Sequence, residues 1–464
     1  MTRLSSCKRD LAFSLLAAIT LLVSLSASAQ WNEKVLHDFQ AIPDGSQPAG
    51  GVIFDSAGNL YGTTYDGGAE GCHIACGTVF QLQPQGGGVW TENILYVFKG
   101  NDGNDGELPA GGLISDQLGN LYGVTAYGGS GDCNLLGIVV GCGTVFEMSP
   151  PAQAGGAWTE TVLYSFQGRS DGYLPTGDLT FDRQGKLFGA TQFGGGDGSC
   201  DAPYYQACGT VFGLSPPKMK GGTWAEEVLY SFKGIPQGLQ VGDGASPNGG
   251  LLLDNEGAIY GTTYHGGDNY LQQGDCIQGG ETGCGTAFKL TPPQGNGGKW
   301  TESLLHVFTY LEDGYFPAAG LTFDGNGYLY GTTQSTAFRL DPISEESDRW
   351  SETILYTFDA DVFNPNAALI LDKAGNLYGT SEAGGCHQGC HGSVYRLNRP
   401  EKKGEAWTLT ILYAFLGPPG DGGDPAASLV YKDGSLYSTT QMGGIQGDCP
   451  GGLEGCGSVF EISP

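Results

Sequence analysis

Short stretches of alternating apolar and polar residues, separated by glycine-rich turns, run along nearly the whole chain. In the segment Trp158–Phe166, the residues Val162 and Tyr164 share one face with the two aromatic ends, and this period-two alternation predicts a β-strand with one buried face. The segments Asn59–Thr64 and Gly77–Leu82 are rich in β-branched and aromatic residues and adjoin glycines, which also indicates strands.

Four such strands recur in a fixed order, and we label them A to D. Strand A follows a proline, an Asp-x-x-Gly turn such as Asp55–Gly58 joins it to strand B, and a Gly-Gly step leads towards strand C. Aspartate at the start and glycine at the positive-φ position are typical of a hairpin turn. Strand D starts at a tryptophan in every unit, and the seven units therefore begin near Trp31, Trp90, Trp158, Trp224, Trp300, Trp350 and Trp407.

The period of this repeat runs from 50 to 76 residues, and short strands repeated at such spacing favour a propeller or a solenoid. The chain has a D-type strand at residues 31–39 before any A, B or C strand, and its last unit has a C-type strand without a following D. Pairing these two strands closes a ring. We therefore predict an all-β, seven-bladed β-propeller with four-stranded blades, formed by residues 30–464. A right-handed β-helix is the alternative, but it does not explain why the first unit begins with a D-type strand while the last unit lacks one.

The run Gly-Asn-Leu-Tyr-Gly-Thr-Thr-x-x-Gly-Gly, followed by Gly-Thr-Val-Phe-x-Leu, recurs through the chain. This pattern resembles the GloVer tandem-repeat family of exported bacterial proteins over nearly all of residues 31–464. The resemblance implies a propeller-like repeat protein of undefined function.

The first 29 residues resemble a signal peptide. Arg3, Lys8 and Arg9 precede an apolar run, and Ala27 and Ala29 give a small-x-small cleavage pattern. No cysteine follows directly, and no later apolar stretch is long enough to span a membrane. We therefore expect an exported protein, periplasmic or extracellular, without a membrane anchor.

The net charge bears on the class of partner, and the glycine content bears on whether the chain is folded. The net charge is −28, and removal of the leader with its net +2 would leave −30, so we expect no nucleic-acid partner. Glycine accounts for 82 of 464 residues, and its recurrence at fixed offsets assigns it to turns rather than to disorder.

The cysteines fall into pairs at one position of the repeat. Apart from Cys7 in the leader, they form six pairs, and the fifth unit lacks both members. Loss of both together is what a disulfide predicts in an oxidising compartment. The predicted pairs are Cys72/Cys76, Cys133/Cys142, Cys200/Cys208, Cys276/Cys284, Cys386/Cys390 and Cys449/Cys456. Histidines beside two of these pairs raise the alternatives of haem or zinc binding, which the repeat position disfavours.

Loop lengths distinguish the two faces of the predicted propeller. The A–B and C–D turns are nearly constant, whereas the B–C and D–A loops vary widely. Ligands usually bind to variable loops on a rigid scaffold, although harmless drift in loop length is the alternative. The long B–C loops of units two to four, residues 130–141, 196–207 and 268–283, are the predicted rim of a binding face. Candidate contact residues are Tyr204, Tyr205, His265 and Tyr270.

No constellation of residues identifies a reaction. Carboxylates on the variable face could form a glycosidase or lyase pair, but their spacing selects none of Glu70, Asp132, Asp197, Asp201, Asp268, Asp275, Glu281 and Glu454. The Asp-Gly-x-x-Pro motif before strand A contains an aspartate in six units. We favour the interpretation that these aspartates form turns, and a ring of cation ligands is the alternative. We assign no catalytic residue, cofactor or metal ligand.

Two functions remain open at this stage. The first is a secreted, non-enzymatic, monomeric propeller that binds a glycan or a cell-surface protein through the disulfide-pinned loop face. The alternative is a secreted carbohydrate-active hydrolase or lyase.

Overall fold

The computed structural model describes residues 31–464 except 49, 70–75, 101–103, 136, 154, 169, 197–200, 203–204, 207, 220, 236–240, 268–275, 279–280, 296–297, 311–312, 345–346, 360–361, 387–388, 445–448 and 450–454. The described residues form seven small antiparallel sheets arranged in a ring, which confirms the seven-bladed β-propeller. No helix among them is long and apolar enough to cross a membrane.

Each blade has strands A to D in order from the channel outwards, and strand A is split in blades 2 and 4. Blade 1 has Ile53–Phe54, Leu60–Thr64, Thr78–Gly86 and Val89–Val97. Blade 2 has Gly106–Pro109 with Ile114–Ser115, then Leu121–Gly128, Thr144–Ser149 and Thr159–Ser165. Blade 3 has Tyr173–Phe181, Leu187–Phe193, Thr210–Ser215 and Ala225–Ser231. Blade 4 has Ala245–Pro247 with Leu252–Leu253, then Ile259–His265, Thr286–Thr291 and Thr301–Val307.

The remaining blades follow the same order. Blade 5 has Thr322–Phe323, Leu329–Thr332, Thr336–Ser344 and Ser347–Thr357. Blade 6 has Ile370–Leu371, Leu377–Ser381, Ser393–Asn398 and Thr408–Ala414. Blade 7 has Val430–Lys432, Ser435–Thr440, Ser458–Ser463 and Asn32–Asp38.

Blade 7 confirms the predicted ring closure. Its outer strand Asn32–Asp38 pairs antiparallel with Ser458–Ser463, with Asn32 opposite Ser463 and Asp38 opposite Ser458. The last blade thus combines three strands from the C-terminal end of the chain with one from the N-terminal end.

Short two-stranded ribbons extend the B–C loops of blades 2, 3 and 4. They are formed by Asn134–Leu135 with Ile138–Val139, Asp201–Ala202 with Tyr205–Gln206, and Ile277–Gln278 with Glu281–Thr282. Two further ribbons, Val362–Phe363 with Ala383–Gly384 and Gly422–Gly423 with Met442–Gly443, lie beside the inner strands of blades 6 and 7.

The hydrophobic core is divided among the junctions between blades. At each junction the phenylalanine that follows strand D packs against an aromatic ring of strand C in the next blade, as Phe98 does on Phe146 at 5.1 Å between ring centroids. The tryptophans extend this packing, because Trp158 of blade 2 lies over Tyr61 of blade 1. The repeated aromatic positions therefore join blades rather than stabilise each blade alone.

Paired hydroxyl groups join strands B and C within every blade. The last hydroxyl residue of the Thr-Thr step bonds the first residue of strand C, as Thr64 does to Thr78 at 2.9 Å between the Oγ1 atoms. Equivalent pairs occur in the other six blades. These buried polar atoms are thereby satisfied.

Disulfide bonds are present at the loop position of the repeat. The structure contains Cys133–Cys142, Cys276–Cys284, Cys386–Cys390 and Cys449–Cys456. Cys76 and Cys208 are disulfide-bonded as well, whereas their predicted partners Cys72 and Cys200 lie outside the described residues. Because disulfides persist in oxidising compartments, these bonds point to an exported protein.

Candidate functional site at the channel mouth

The inner strands surround a channel of about 380 Å³. Its wall is built from the small residues that follow each strand A proline, and the blades approach so closely there that a side chain on Gly50 would lie 2.4 Å from the backbone nitrogen of Gly112. Small residues at these positions are therefore a steric requirement of the narrow ring.

Asp178 breaks this small-residue pattern and is the only charged side chain among the described residues of the channel wall. Its side chain is exposed in the channel. Desolvation raises the pKa of Asp178, although its Oδ1 accepts a hydrogen bond from the Gly112 N–H at 2.6 Å, which lowers it.

The rim of the channel on the B–C loop side has an unusual backbone. The residue before each strand A proline has a φ between 51° and 58°: Gln47, Leu108, Leu174, Ser246, Phe316, Asn364 and Asp424. Six of these seven residues donate their N–H to a carbonyl just before strand C of the preceding blade, as Gln47 does to Cys456 at 2.8 Å. Tertiary hydrogen bonds thus hold non-glycine residues in a left-handed conformation, a kind of strain that often marks functional sites.

We define the channel mouth as these seven residues and the seven that directly follow the hydroxyl residue bonded to the start of strand C: Tyr65, Ala126, Gln192, Tyr264, Gln334, Glu382 and Gln441. Backbone bonds tie the two sets together, as from Tyr65 N–H to the Gln47 carbonyl at 2.9 Å. The two sets differ in side chain from blade to blade, although the strands on either side of them repeat closely. The side chains of the channel mouth therefore vary from blade to blade, whereas the strands that carry them repeat closely.

Aromatic rings gather at the mouth between blades 4 and 5. Tyr264 stacks on Phe316 with ring centroids 4.8 Å apart and planes 7° apart. Tyr315 packs on Phe316 at 5.3 Å and on Tyr310 at 4.8 Å. The three tyrosines are half-buried, and Gln334, which lies in the short B–C connection of blade 5, donates its Nε2–H to the Tyr264 hydroxyl at 2.8 Å. The short connection thus contributes a polar group to this aromatic cluster.

Two carboxylates lie next along the mouth, on blades 6 and 7. Glu382 accepts hydrogen bonds from the Nδ2 atoms of Asn366 at 3.0 Å and Asn364 at 3.4 Å. Burial and the neighbouring Glu382 raise the pKa of Asp424, against a lowering effect of His391. Burial and Glu382 likewise raise the pKa of Tyr264, against the hydrogen bond from Gln334, which places this carboxylate near both the aromatic cluster and Asp424.

The four contact residues predicted from the sequence do not lie together in the described structure. His265 is 8% exposed and packs against Tyr264 and Phe316, and burial lowers its pKa to about 4. It is therefore a neutral residue beneath the aromatic cluster. Tyr205 is in the blade 3 ribbon, while Tyr204 and Tyr270 lie outside the described residues, so their predicted ligand contacts stay predictions.

The six carboxylates of the Asp-Gly motifs form hydrogen bonds to the backbone of their own repeat units. Each accepts the backbone N–H of the residue after the strand D phenylalanine, as Asp44 does from Gln40 at 3.0 Å. This geometry is that of a turn, the first of the two interpretations from the sequence.

Sequence reasoning missed most of the mouth. Tyr310, Tyr315, Glu382 and Asp424 belong to no recognised motif, because they occupy repeat positions where the residue type changes between blades. Asp178 could have been found, since it replaces a small residue in an otherwise regular pattern.

Comparison with known proteins identifies one family. A family model described as the Gloeobacter/Verrucomicrobia repeat matches residues 29–274 and 137–388, whereas no curated protein matches the chain. Among solved structures, a protein of unknown function from Dyadobacter fermentans is similar at 9% identity, with a TM-score of 0.44, over 94% of this chain and 99% of that one. The extracellular domain assigned to a hybrid two-component system of B. thetaiotaomicron is similar at 11% identity, with a TM-score of 0.47, over 93% of this chain and 41% of that one.

Proposed function

This chain belongs to the Gloeobacter/Verrucomicrobia repeat family, and we propose that it is an exported, non-enzymatic binding protein that takes a glycan at the channel mouth. The observation that carries the proposal is the half-buried tyrosine cluster of Tyr264, Tyr310 and Tyr315. It lies beside amide and carboxylate groups at the channel mouth, where side chains vary between blades. Flat aromatic rings offer contact area to a sugar ring with little loss of rotamer freedom.

The polar groups of the mouth favour a neutral or amine-bearing glycan over an acidic one. The carboxylate of Glu382 is close enough to raise the pKa of Asp424, and the whole chain carries a net charge of −28. Both features repel anions. The Asn364 and Asn366 amides and Gln334 supply the directional hydrogen bonds that a sugar hydroxyl requires.

The alternative function, a glycan hydrolase or lyase, is favoured by the same two carboxylates. A carboxyl group with a raised pKa beside a second carboxylate is the arrangement used in glycoside hydrolysis. In that case Glu382→Gln would abolish release of reducing ends or unsaturated products while leaving binding in place.

The test is binding of a neutral β-glucan, chitosan oligosaccharides and alginate, measured by titration calorimetry on the full chain. We expect the first or second to bind, alginate not to bind, and Tyr264→Ala or Tyr315→Ala to weaken binding at least tenfold, a typical effect for a central aromatic contact. The matched control is Tyr431→Ala, because Tyr431 is 58% exposed on strand A of blade 7, next to the A–B turn.

Two outcomes would contradict the proposal. One is unchanged affinity in the Tyr264 and Tyr315 variants with a native circular dichroism spectrum. The other is an equal loss of affinity in the Tyr431 variant, which would place the glycan elsewhere.

A further inference from the structure

One repeat position on strand D differs between blades in a way that the glycan site does not use. Two residues before the phenylalanine, five units have tyrosine and two have histidine, His37 and His306. In four of the tyrosine units the hydroxyl donates to the Asp-Gly carboxylate, as Tyr164 does to Asp171 at 2.8 Å. The exchange replaces a hydroxyl with an imidazole, which is a strong ligand for a transition metal.

Each histidine faces two carboxylates. His37 Nε2 lies 3.2 Å from Asp44 Oδ2 and 3.8 Å from Glu92 Oε1. His306 Nε2 lies 2.9 Å from Asp313 Oδ2 and 3.6 Å from Glu352 Oε2. Within each group one donor atom from every residue lies within 4.8 Å of the other two.

These separations fit a tetrahedral ion. Zinc binds imidazole nitrogen and carboxylate oxygen at about 2.0–2.2 Å, so two donors on neighbouring corners lie roughly 3.3 Å apart. The four imidazole–carboxylate distances, from 2.9 to 3.8 Å, bracket that value. A set of one nitrogen and two oxygens leaves the fourth corner for water, and the histidines remain about one-fifth exposed.

The carboxylates of each group are prepared for a cation. The second oxygen of each aspartate is held by the backbone, at 3.0 Å from Gln40 N–H for Asp44 and at 2.8 Å from Thr309 N–H for Asp313. Such outer hydrogen bonds orient metal ligands. Each glutamate faces its histidine at 3.6–3.8 Å and has one oxygen, Oε1 of Glu92 and Oε1 of Glu352, that is buried without a hydrogen-bond partner. Their side chains are only 13% and 11% exposed.

From this geometry we propose two zinc(II) sites, His37–Asp44–Glu92 and His306–Asp313–Glu352, each between adjacent blades. In each site the neutral imidazole binds through Nε2 with its proton on Nδ1, and the two carboxylate charges balance the ion. The first site connects the N-terminal strand of blade 7 to strand D of blade 1, and the second connects blades 4 and 5. Imidazole favours zinc over calcium, which takes only oxygen ligands in larger number.

The experiment counts zinc ions on the oxidised full chain carrying Cys7→Ser, so that no free thiol contributes. Zinc chloride is added to metal-free protein, and binding is followed by titration calorimetry and by elemental analysis after dialysis. We expect two zinc ions per wild-type chain, one in His37→Tyr or His306→Tyr, and none in the double variant. Tyrosine occupies this position in five blades, so these variants keep the fold, which circular dichroism verifies.

A gain of a site provides the matched test. Tyr164→His places an imidazole beside Asp171 and Glu226, the equivalent carboxylates of blades 2 and 3, and should raise the count from two to three. Zinc should raise the melting temperature of the wild type but not of the double variant, because only a folded site binds it. Absence of zinc from the wild type, zinc retained by the double variant, or displacement by equimolar calcium would overturn the assignment.

Discussion

Single residues set the distance between neighbouring strands in this propeller. In six blades a glycine at the centre of strand B lies under an aromatic ring of strand C, and a side chain on Gly62 would lie 2.6 Å from Cζ of Phe80. Six blades have phenylalanine at that strand C position, whereas blade 6 has Tyr395. Its hydroxyl is fully buried and has no hydrogen-bond partner. At Tyr395 the repeat therefore buries a polar atom without compensation.

The first prediction is that Tyr395→Phe stabilises the protein. The variant keeps the ring that packs on Phe358 at 5.3 Å and removes the unsatisfied hydroxyl, which should increase the free energy of unfolding by about 1 kcal/mol. The measurement is the urea midpoint. The matched control, Phe146→Tyr in blade 2, adds the same hydroxyl at the equivalent position and should lower the midpoint. Equal midpoints for both variants would show that the hydroxyl is satisfied after all.

At the scale of strands, the contact between the D strands of neighbouring blades is acidic. Six glutamates near the start of strand D, Glu33, Glu92, Glu160, Glu226, Glu302 and Glu352, have their pKa raised from 4.5 to about 7, chiefly by burial. Glu160 represents those without a histidine neighbour, and the carboxylate of Asp105 raises its pKa further. Ionisation of Glu160 therefore weakens this junction.

The second prediction is a pH-dependent gain of stability in Glu160→Gln. Below pH 4.5 the carboxyl is protonated in the folded and the unfolded chain, so the variant should match the wild type. Between pH 4.5 and 7 the unfolded chain has lost a proton that the folded chain still binds, so the wild type loses stability as the pH rises.

Above pH 7 the difference should level off at roughly 1 kcal/mol in favour of glutamine, after allowance for solvent screening. Urea unfolding at pH 4, 5.5 and 8 measures it. Glu256→Gln, at an exposed A–B turn of blade 4, is the control and should show no such trend. A constant difference at all three pH values would mean that shape, not charge, causes the effect.

At the scale of the whole molecule, the architecture could be predicted because local signals repeat seven times. The Asp-x-x-Gly turns, the tryptophan at strand D and the offset of the first strand all agree, so an error in one unit does not change the result. The mouth could not be predicted in the same way. Leu108 and Leu174 have positive φ before a proline, which local preferences disfavour and only hydrogen bonds from the preceding blade explain. The electrostatic effect of Glu382 on Tyr264 likewise joins residues of blades 6 and 4, which are far apart in the sequence.

The last prediction concerns the closure of the ring. Deleting residues 31–39 removes the outer strand of blade 7 and Phe39, and it exposes the edge of Ser458–Ser463 together with the junction where Phe39 packs on Phe80 at 5.1 Å. An open edge and an uncovered junction destabilise more than one strand's contacts alone, and unpaired edges also promote association. We expect a lower melting temperature and a shift to oligomers, measured by calorimetry and light scattering in zinc-free buffer.

The control is a permuted chain that carries residues 31–39 after Pro464 through a copy of the blade 1 C–D turn, and it should remain monomeric and near the wild type in stability. If the deleted chain melted like the wild type, the pairing of Asn32–Asp38 would contribute nothing to the ring.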